Sequence, residues 1–378
     1  MNIRILLLFL LVFAFQACKN SDKSGENKRN TEAREDSLKL AKAMAMQAKF
    51  SYKFNATVET EVVNAGKNDD SADDPAIWIN EKNPEKSLIL GTNKKEGLYA
   101  FDLSGRIKTI RKIGRVNNVD LRDHFQWKNT EVVLVAASNR DLNAISMFYI
   151  DKDSAFLSDT ILNIPSKVNE VYGICMFHQP EKNEFYVIVN GKDGGFEQYL
   201  IFVENEQLNF KLTAQFKVNS QPEGIVADDS LKMLYLGVEE EGIFKLNLDS
   251  IQHNNQPVKI AQTDSSASHI AYDIEGLALF SYFGQRYLMA SVQGNFSYAI
   301  YKLGKSEQYI GSFVITNGSL DGVEETDGLE VVNTSLLPNF PGGMIVVQDG
   351  FNYDQNVLQA QNFKYLPLNV LDAMLLQK

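Results

Sequence analysis

The residues of this chain best suited to chemistry are carboxylates set just ahead of apolar stretches. They are Asp73 and Asp74 in DDPAIW, Glu223 in QPEGIV, Glu239 in VEEEG, Glu275 in DIEGLAL, and Asp327 at the end of the acidic run that begins at Glu324. A lone acidic pair in a turn is ordinarily just solvated. A charge abutting a core strand is costly to bury unless it is paired or metal-bound. Hard oxygen donors with few histidines select calcium or magnesium over zinc or copper. Basic residues recur in turns as well: Lys94 and Lys95 in TNKKEG, Arg140 in ASNR, and Lys192 in NGKDGG. Lysine holds phosphate as a point charge and arginine through a bidentate fork. Each alone is ordinary surface. Opposite carboxylates, as a set, they suit cations sandwiched between protein and phosphate oxygens.

Familiar phosphatase nucleophiles are missing. None of the four histidines (His124, His178, His253 and His269) lies in an Arg-His-Gly context. Neither Cys18 nor Cys175 is followed by arginine at the spacing of a cysteine-based phosphate loop, and no Gly-x-Ser-x-Gly elbow occurs. Metal-activated water is the economical alternative. The formal net charge of -11 disfavours nucleic acid, which attracts basic surfaces. An acidic protein that handles a phosphorylated substrate also needs positive charge from somewhere, and metal ions are the obvious supply.

Elements that could gather such residues are short strands. Runs rich in Val, Ile, Tyr and Phe recur, among them 87–91, 97–102, 131–137, 145–150, 184–189, 198–203, 233–236, 287–291 and 343–347, with Gly/Asn/Asp turns between them. Many short strands with frequent turns indicate an all-β sandwich, barrel or propeller. A repeated phrase favours the propeller: DDPAIWIN with SLILGTNKKEGLYAFDL, QPEGIVADD with KMLYLGVEEEGIFKL, DIEGLALF with RYLMASVQGNFSYAIYKL, and TDGLEVV with GGMIVVQDGF. Roughly 320 residues at a period of about 50 make six blades of four antiparallel strands. Inner turns of such blades converge at one end of a channel.

The N-terminus gives an address. Arg4 precedes an apolar run, Ile5 to Phe15, that is short for a membrane span, and Gln16-Ala17-Cys18 resembles a lipobox. Residues 1–18 are expected to be a lipoprotein signal peptide with Cys18 lipidated. Residues 19–53 are expected to be a polar tether carrying a short helix over 37–49, and 54–378 the folded body. The protein is then exported and membrane-anchored, on the periplasmic or cell-surface side. Cys175 is left as a lone thiol, so no internal disulfide forms.

In order along the chain, DDPAIW, TNKKEGLYAFDLSG, NNVDLR, ASNR, NEVYG, NGKDGGFEQY, SQPEGIVADD, DIEGL, YLMASVQGNFSYAIY, TDGLEV and QDGFN resemble the β-propeller phytases over roughly 56–367. The resemblance implies a six-bladed propeller acting as a 3-phytase, with several calcium ions bridging an acidic mouth and phytate (inositol hexakisphosphate). It also implies a cleavage site beside a second phosphate-holding site. Carried over by motif, Glu59, Asp73, Tyr172, Glu223, Glu239, Glu275, Gln293, Asp321 and Asp327 belong to the active site, most of them as calcium ligands. Lys94, Lys95, Arg140 and Lys192 hold phosphates. Asp74 with the Pro75 and Val119 carbonyls resembles a structural calcium site, and Asp349 with Asn352 another. DGVEETDG is one residue shorter than the family pattern, and the stretch between Glu61 and Asp73 is longer. The expected partner is phytate as its calcium complex, and the expected state is monomeric. Rival readings are a calcium-dependent propeller hydrolase of another class, such as a lactonase, and a non-catalytic binding propeller. A lactonase has no use for four phosphate-type cations.

Overall fold

The computed structural model describes residues 37–253 and 256–376. The chain divides into two compact units, 1–49 and 50–378. In the first, residues 37–47 are helical. Cys18 and the proposed signal peptide lie outside the described residues.

The second unit is a six-bladed β-propeller of antiparallel blades. Blade 1 contains Ala72–Trp78, Leu88–Asn93, Gly97–Phe101 and Ile107–Lys112. Blade 2 contains Val116–Trp127, Thr130–Asn139 and Ala144–Asp151, with Phe156–Leu157 and Leu162–Pro165 sharing its outer edge. Blade 3 runs from Val171–Gln179 through Glu184–Gly191 and Gly195–Glu204 to Gln207–Lys217. Blade 4 comprises Pro222–Asp228, Met233–Val238, Gly242–Asn247 and the short Val258–Lys259. Blade 5 comprises Ile274–Tyr282, Gln285–Val292, Ser297–Lys302 and Gln308–Ile315. Blade 6 takes only Leu329–Val332, Met344–Asp349 and Asn362–Pro367 from the C-terminal end. Its outer strand, Val58–Glu59, comes from the N-terminal end of the unit. That shared blade closes the ring. Tyr52–Phe54 adds a parallel fifth strand to blade 5.

The strands read as apolar runs because both faces of each blade are covered. In Ala72–Trp78, Ala76 and Trp78 pack against blade 2, while Ile77 packs against blade 6. Six buried clusters lie one at each blade interface, and the core is therefore a ring of separate interfaces. Cys175 is a buried free thiol between blades 3 and 4.

One local device recurs. In the innermost strands of blades 1 to 5 the register shifts at the same place: Ala72/Pro75, Val116/Val119, Val171/Ile174, Pro222/Ile225 and Ile274/Leu277. Two residues there face one on the next strand, which is a β-bulge. A bulge frees a backbone N–H, and the opposing side chain takes it up. Asp74 N–H donates to Thr92 Oγ1, Asn118 N–H to Ser138 Oγ, Gly173 N–H to Asn190 Oδ1 and Gly276 N–H to Ser291 Oγ, all at 2.8–2.9 Å. Three of these side chains also donate onward to the next blade, from Ser138 Oγ to the Tyr172 carbonyl, Asn190 Nδ2 to that of Glu223 and Ser291 Oγ to that of Asp327.

Candidate active site

The bulge decides which residues reach the channel mouth. Its first residue is Asp73 in blade 1, Asn117 in blade 2, Tyr172 in blade 3, Glu223 in blade 4 and Glu275 in blade 5. Asp327, two residues before Leu329–Val332, takes the equivalent place in blade 6. Its second residue is glycine in blades 3, 4 and 5, and Gly328 follows Asp327. A Cβ on Gly173 would overlap the Glu223 carbonyl oxygen, and one on Gly224 that of Glu275. One on Gly276 would come within 2.7 Å of the Leu329 nitrogen. Repeated acid-glycine pairs therefore record where one blade's backbone lies against the next.

Ligand atoms of Glu223, Glu239 and Glu275 lie within 4.8 Å of one another. With Asp70, Lys94, Tyr172, Gln221, Asp273, Gln293, Glu325, Asp327 and Gln361 they line a cavity of about 370 Å³. Glu239 Oε1 accepts from Gln221 Nε2, Asp327 Oδ1 from Gln293 Nε2 at 2.6 Å, and Glu223 Oε1 from Asn117 Nδ2 at 2.8 Å. One carboxylate oxygen each of Asp73 and Glu275 is buried with no hydrogen-bond donor.

Burial and crowding push these acids upward. Burial holds Asp73 well above the ordinary carboxylate range, with Lys94 opposing and Glu223 adding to the rise. Burial and then the Glu223 charge do the same to Glu275. Burial lifts Glu239 to about 7, and lifts Asp327 to about 7 against Lys94. Burial and Glu223 raise the Tyr172 phenol, which stays protonated. Such a set repels itself at neutral pH unless cations join it.

The cations divide. Lys94 Nζ lies 2.6 Å from Asp70, 2.9 Å from Asp327 and 3.9 Å from Asp73. Burial works against its charge, but Asp327, Asp73 and Asp70 outweigh that and hold its pKa well above the usual lysine value. Lys95 is exposed on the same turn and does not line the cavity. Arg140 and Lys192 both sit over the Tyr172 ring, at 5.7 and 4.6 Å from its centre. Arg140 Nη1 also lies 3.4 Å from Asn117 Oδ1, which links this basic flank to Glu223 through one asparagine.

Of the two expected structural sites, Asp74, Pro75 and Val119 share a chamber of about 20 Å³ on the channel axis with Asn118, Asp120 and Glu330. Asp74 Oδ2 accepts the Val119 N–H at 3.1 Å, and burial raises its pKa well above the ordinary value. Asp349 and Asn352 are drawn into a different group from the one expected. Lys364, whose side chain is fully buried, contacts Asp321, Glu59 at 2.5 Å, Asp349 at 3.5 Å and Asn352 Oδ1 at 3.4 Å. Glu59 and Asp321, expected at the mouth, thus gather around an ammonium instead and do not line the cavity. The reason is register: Glu59 is the direct cross-strand partner of Lys364 in the closing blade.

Several lining residues escaped sequence reasoning. Gln221 and Asp273 each stand two places before a ring carboxylate, in Gln221-Pro-Glu223 and Asp273-Ile-Glu275, and that repeated spacing was a usable signal. Asp70 lies in the longer stretch before Asp73, where no motif reaches.

Comparison with known proteins agrees with this geometry. A model of the phytase family matches residues 33–376. A 3-phytase of Bacillus subtilis (strain 168) is 40% identical over 336 residues, 87% of each chain. A solved structure of a candidate 6-phosphogluconolactonase from Bacteroides uniformis ATCC 8492 is 14% identical. It covers 77% of this chain and 88% of its own with a TM-score of 0.46, too loose a likeness to bear on function. A bulged ring of acids at the mouth of six blades, together with a family match across nearly the whole described chain, places this protein in the β-propeller phytase family.

Proposed function

We propose that this chain is a 3-phytase that hydrolyses phytate with calcium ions held at the channel mouth. The observation that carries the reading is the convergence of Glu223, Glu239 and Glu275 within 4.8 Å, beside a Tyr172 ring flanked by Arg140 and Lys192. The match to a 3-phytase supports the substrate.

The residues fit calcium. Donors at the mouth are all oxygen, two of them buried without a partner, and among the described residues no histidine or thiol lines the cavity. Asp73, Glu223, Glu239, Glu275 and Asp327 would hold the ions, with Tyr172 and Gln293 beside them. Bound there, calcium supplies positive charge for phosphate oxygens and makes the attacking water more acidic. Arg140 and Lys192 bind a phosphate on the basic flank and fix the inositol ring relative to the carboxylates. Lys94 adds charge at the acidic end, where it meets negative charge building on the reacting phosphate. No side chain is placed as a nucleophile, so water attacks in line, phosphorus inverts and no phosphoenzyme forms. Asp74, Pro75 and Val119 are proposed to hold a structural ion on the axis. For Asp321, Asp349 and Asn352 the donor set fits a calcium ion only if Lys364 yields its place among them.

Phosphate release from phytate, followed with calcium, with excess chelator, and after calcium is restored, tests this. Chelation should lower the rate about a hundredfold or more, and calcium should recover it. Undiminished release in excess chelator would sink the calcium reading.

A pH dependence follows from the raised acids. Their folded pKa values lie above the unfolded ones, so the folded state binds more protons across the window from about 4 to about 7. Stability without metal therefore falls as pH rises through that window. Melting scans in chelator should show a lower melting temperature at pH 8 than at pH 5, and calcium should flatten the difference.

Export and anchoring through Cys18 are proposed from the sequence, and a single chain, which contains the whole site, as the working unit. Cys18→Ala should move the protein from the membrane to the soluble fraction on cell fractionation.

A further inference from the structure

The geometry points to Glu170 as a resident anion of the phosphate seat, a carboxylate that occupies Arg140 and Lys192 in the free protein and that an incoming phosphate displaces. This rests on the phosphate-holding reading of those two cations. Glu170 stands two residues before the ring residue Tyr172, in the left-handed backbone region at φ 56°, where few residues other than glycine settle. Its Oε1 contacts Arg140 Nη2 and lies 3.8 Å from Lys192 Nζ. The Arg140 contact comes first in holding its carboxyl below the ordinary range. Its own carbonyl and that of Asn169 accept the Lys192 N–H at 3.3 and 3.1 Å, tying the loop to the turn that bears the lysine. One carboxylate and one aromatic ring are thus shared by both cations.

The two cations are held without Glu170. Tyr172 lies under both, and Asn117 reaches Arg140. What Glu170 adds is charge. A phosphate monoester carries about −1.5 to −2 near neutral pH and three acceptor oxygens, against one charge on a glutamate. Arg140 also keeps a buried Nε–H with no acceptor, so the seat is not filled by the carboxylate. The Glu170 side chain is 41% exposed and can turn to water when displaced. A phosphate can therefore exchange with it, whereas a weaker monoanion gains little by doing so. Glu170 would set the threshold charge for entry.

The test compares the full-length protein with E170Q, which removes the charge, and E170N, whose side chain tolerates the left-handed backbone. Binding of inorganic phosphate is measured by calorimetry in calcium-containing buffer, with melting scans to show that each variant is folded. Both variants should bind inorganic phosphate about three- to tenfold tighter, because a partly exposed competing ion pair has been removed. KM for phytate should fall by a similar factor with no rise in kcat. Equal or weaker phosphate binding by the folded variants, or a raised KM, would overturn the proposal and make Glu170 a mere prop for Arg140. If the parent fails to hydrolyse phytate, the catalytic reading falls, while the phosphate titration still decides the role of Glu170.

Discussion

Glu223→Gln abolishes phytate hydrolysis, lowering kcat by about a thousandfold or more, and leaves the propeller folded. Glu223 is buried at the bulge of blade 4, and its charge is felt all around the mouth. Burial raises Glu275, Asp73 and Tyr172, and the Glu223 charge adds to each rise, so Glu223 and the first two repel one another. A glutamine of the same shape can still accept from Asn117 Nδ2, so the hydrogen bond at 2.8 Å survives and only the charge is lost. Without calcium, the variant should therefore melt higher than the parent, because like charges in a buried cluster have been thinned. With calcium the order should reverse, since the parent gains more by binding the ion. Melting scans in chelator and in calcium, alongside kcat, check both halves. A variant that keeps a tenth of the parent's kcat, or that melts lower in chelator, contradicts this account of Glu223.

Gly224→Ala should be among the most damaging substitutions of a single small residue in the chain, costing about 3 kcal/mol or more. The added methyl would overlap the carbonyl oxygen of Glu275 in the next blade, and backbone cannot swing aside as a side chain can. Relief requires blades 4 and 5 to part, which opens the buried interface that holds Tyr235, Ile243, Leu277 and Leu288. It would also displace Glu223 and Glu275 relative to each other, so residual activity should be lost together with stability. Chemical denaturation with and without calcium measures the loss. As a control, Gly284→Ala meets nothing within 4 Å and bears only the strain of its positive φ. It should cost about 1 kcal/mol. Equal costs for the two would mean that the ring of glycines does not mark close approach between blades.

Much of this architecture was legible because the propeller repeats itself. Strands covered on both faces leave apolar runs: those expected at 131–137, 184–189 and 287–291 lie inside observed strands, and 97–102 overruns one by a single residue. The ring was legible through its glycines. DIEG, QPEG, TDG and VYG share the acid or tyrosine that reaches the mouth and the glycine that lets the neighbouring backbone pass. What stayed hidden depends on pairing between distant segments. Glu59 and Lys364 are 305 residues apart and meet only because the N-terminal strand completes the last blade. Nothing in either local motif announces that ladder, and so Glu59 and Asp321 were expected at the mouth. Lys94 was expected to hold phosphate, and its carboxylate partners were not foreseen. Its three carboxylate contacts come from the segment before Asp73, from blade 1 and from the approach to blade 6, a convergence that a linear reading does not display. Asn117, the ring residue of blade 2, carries no charge to draw notice, yet it bridges Glu223 and Arg140.

Bulged inner strands collect carboxylates at one mouth, where they are proposed to surround divalent cations. Anomalous diffraction from a crystal soaked in calcium tests this most directly. A calcium peak is expected at about 2.3–2.6 Å from carboxylate oxygens of Glu223, Glu239 and Glu275. Calcium bound elsewhere on the protein, with no peak among those three glutamates, would contradict it.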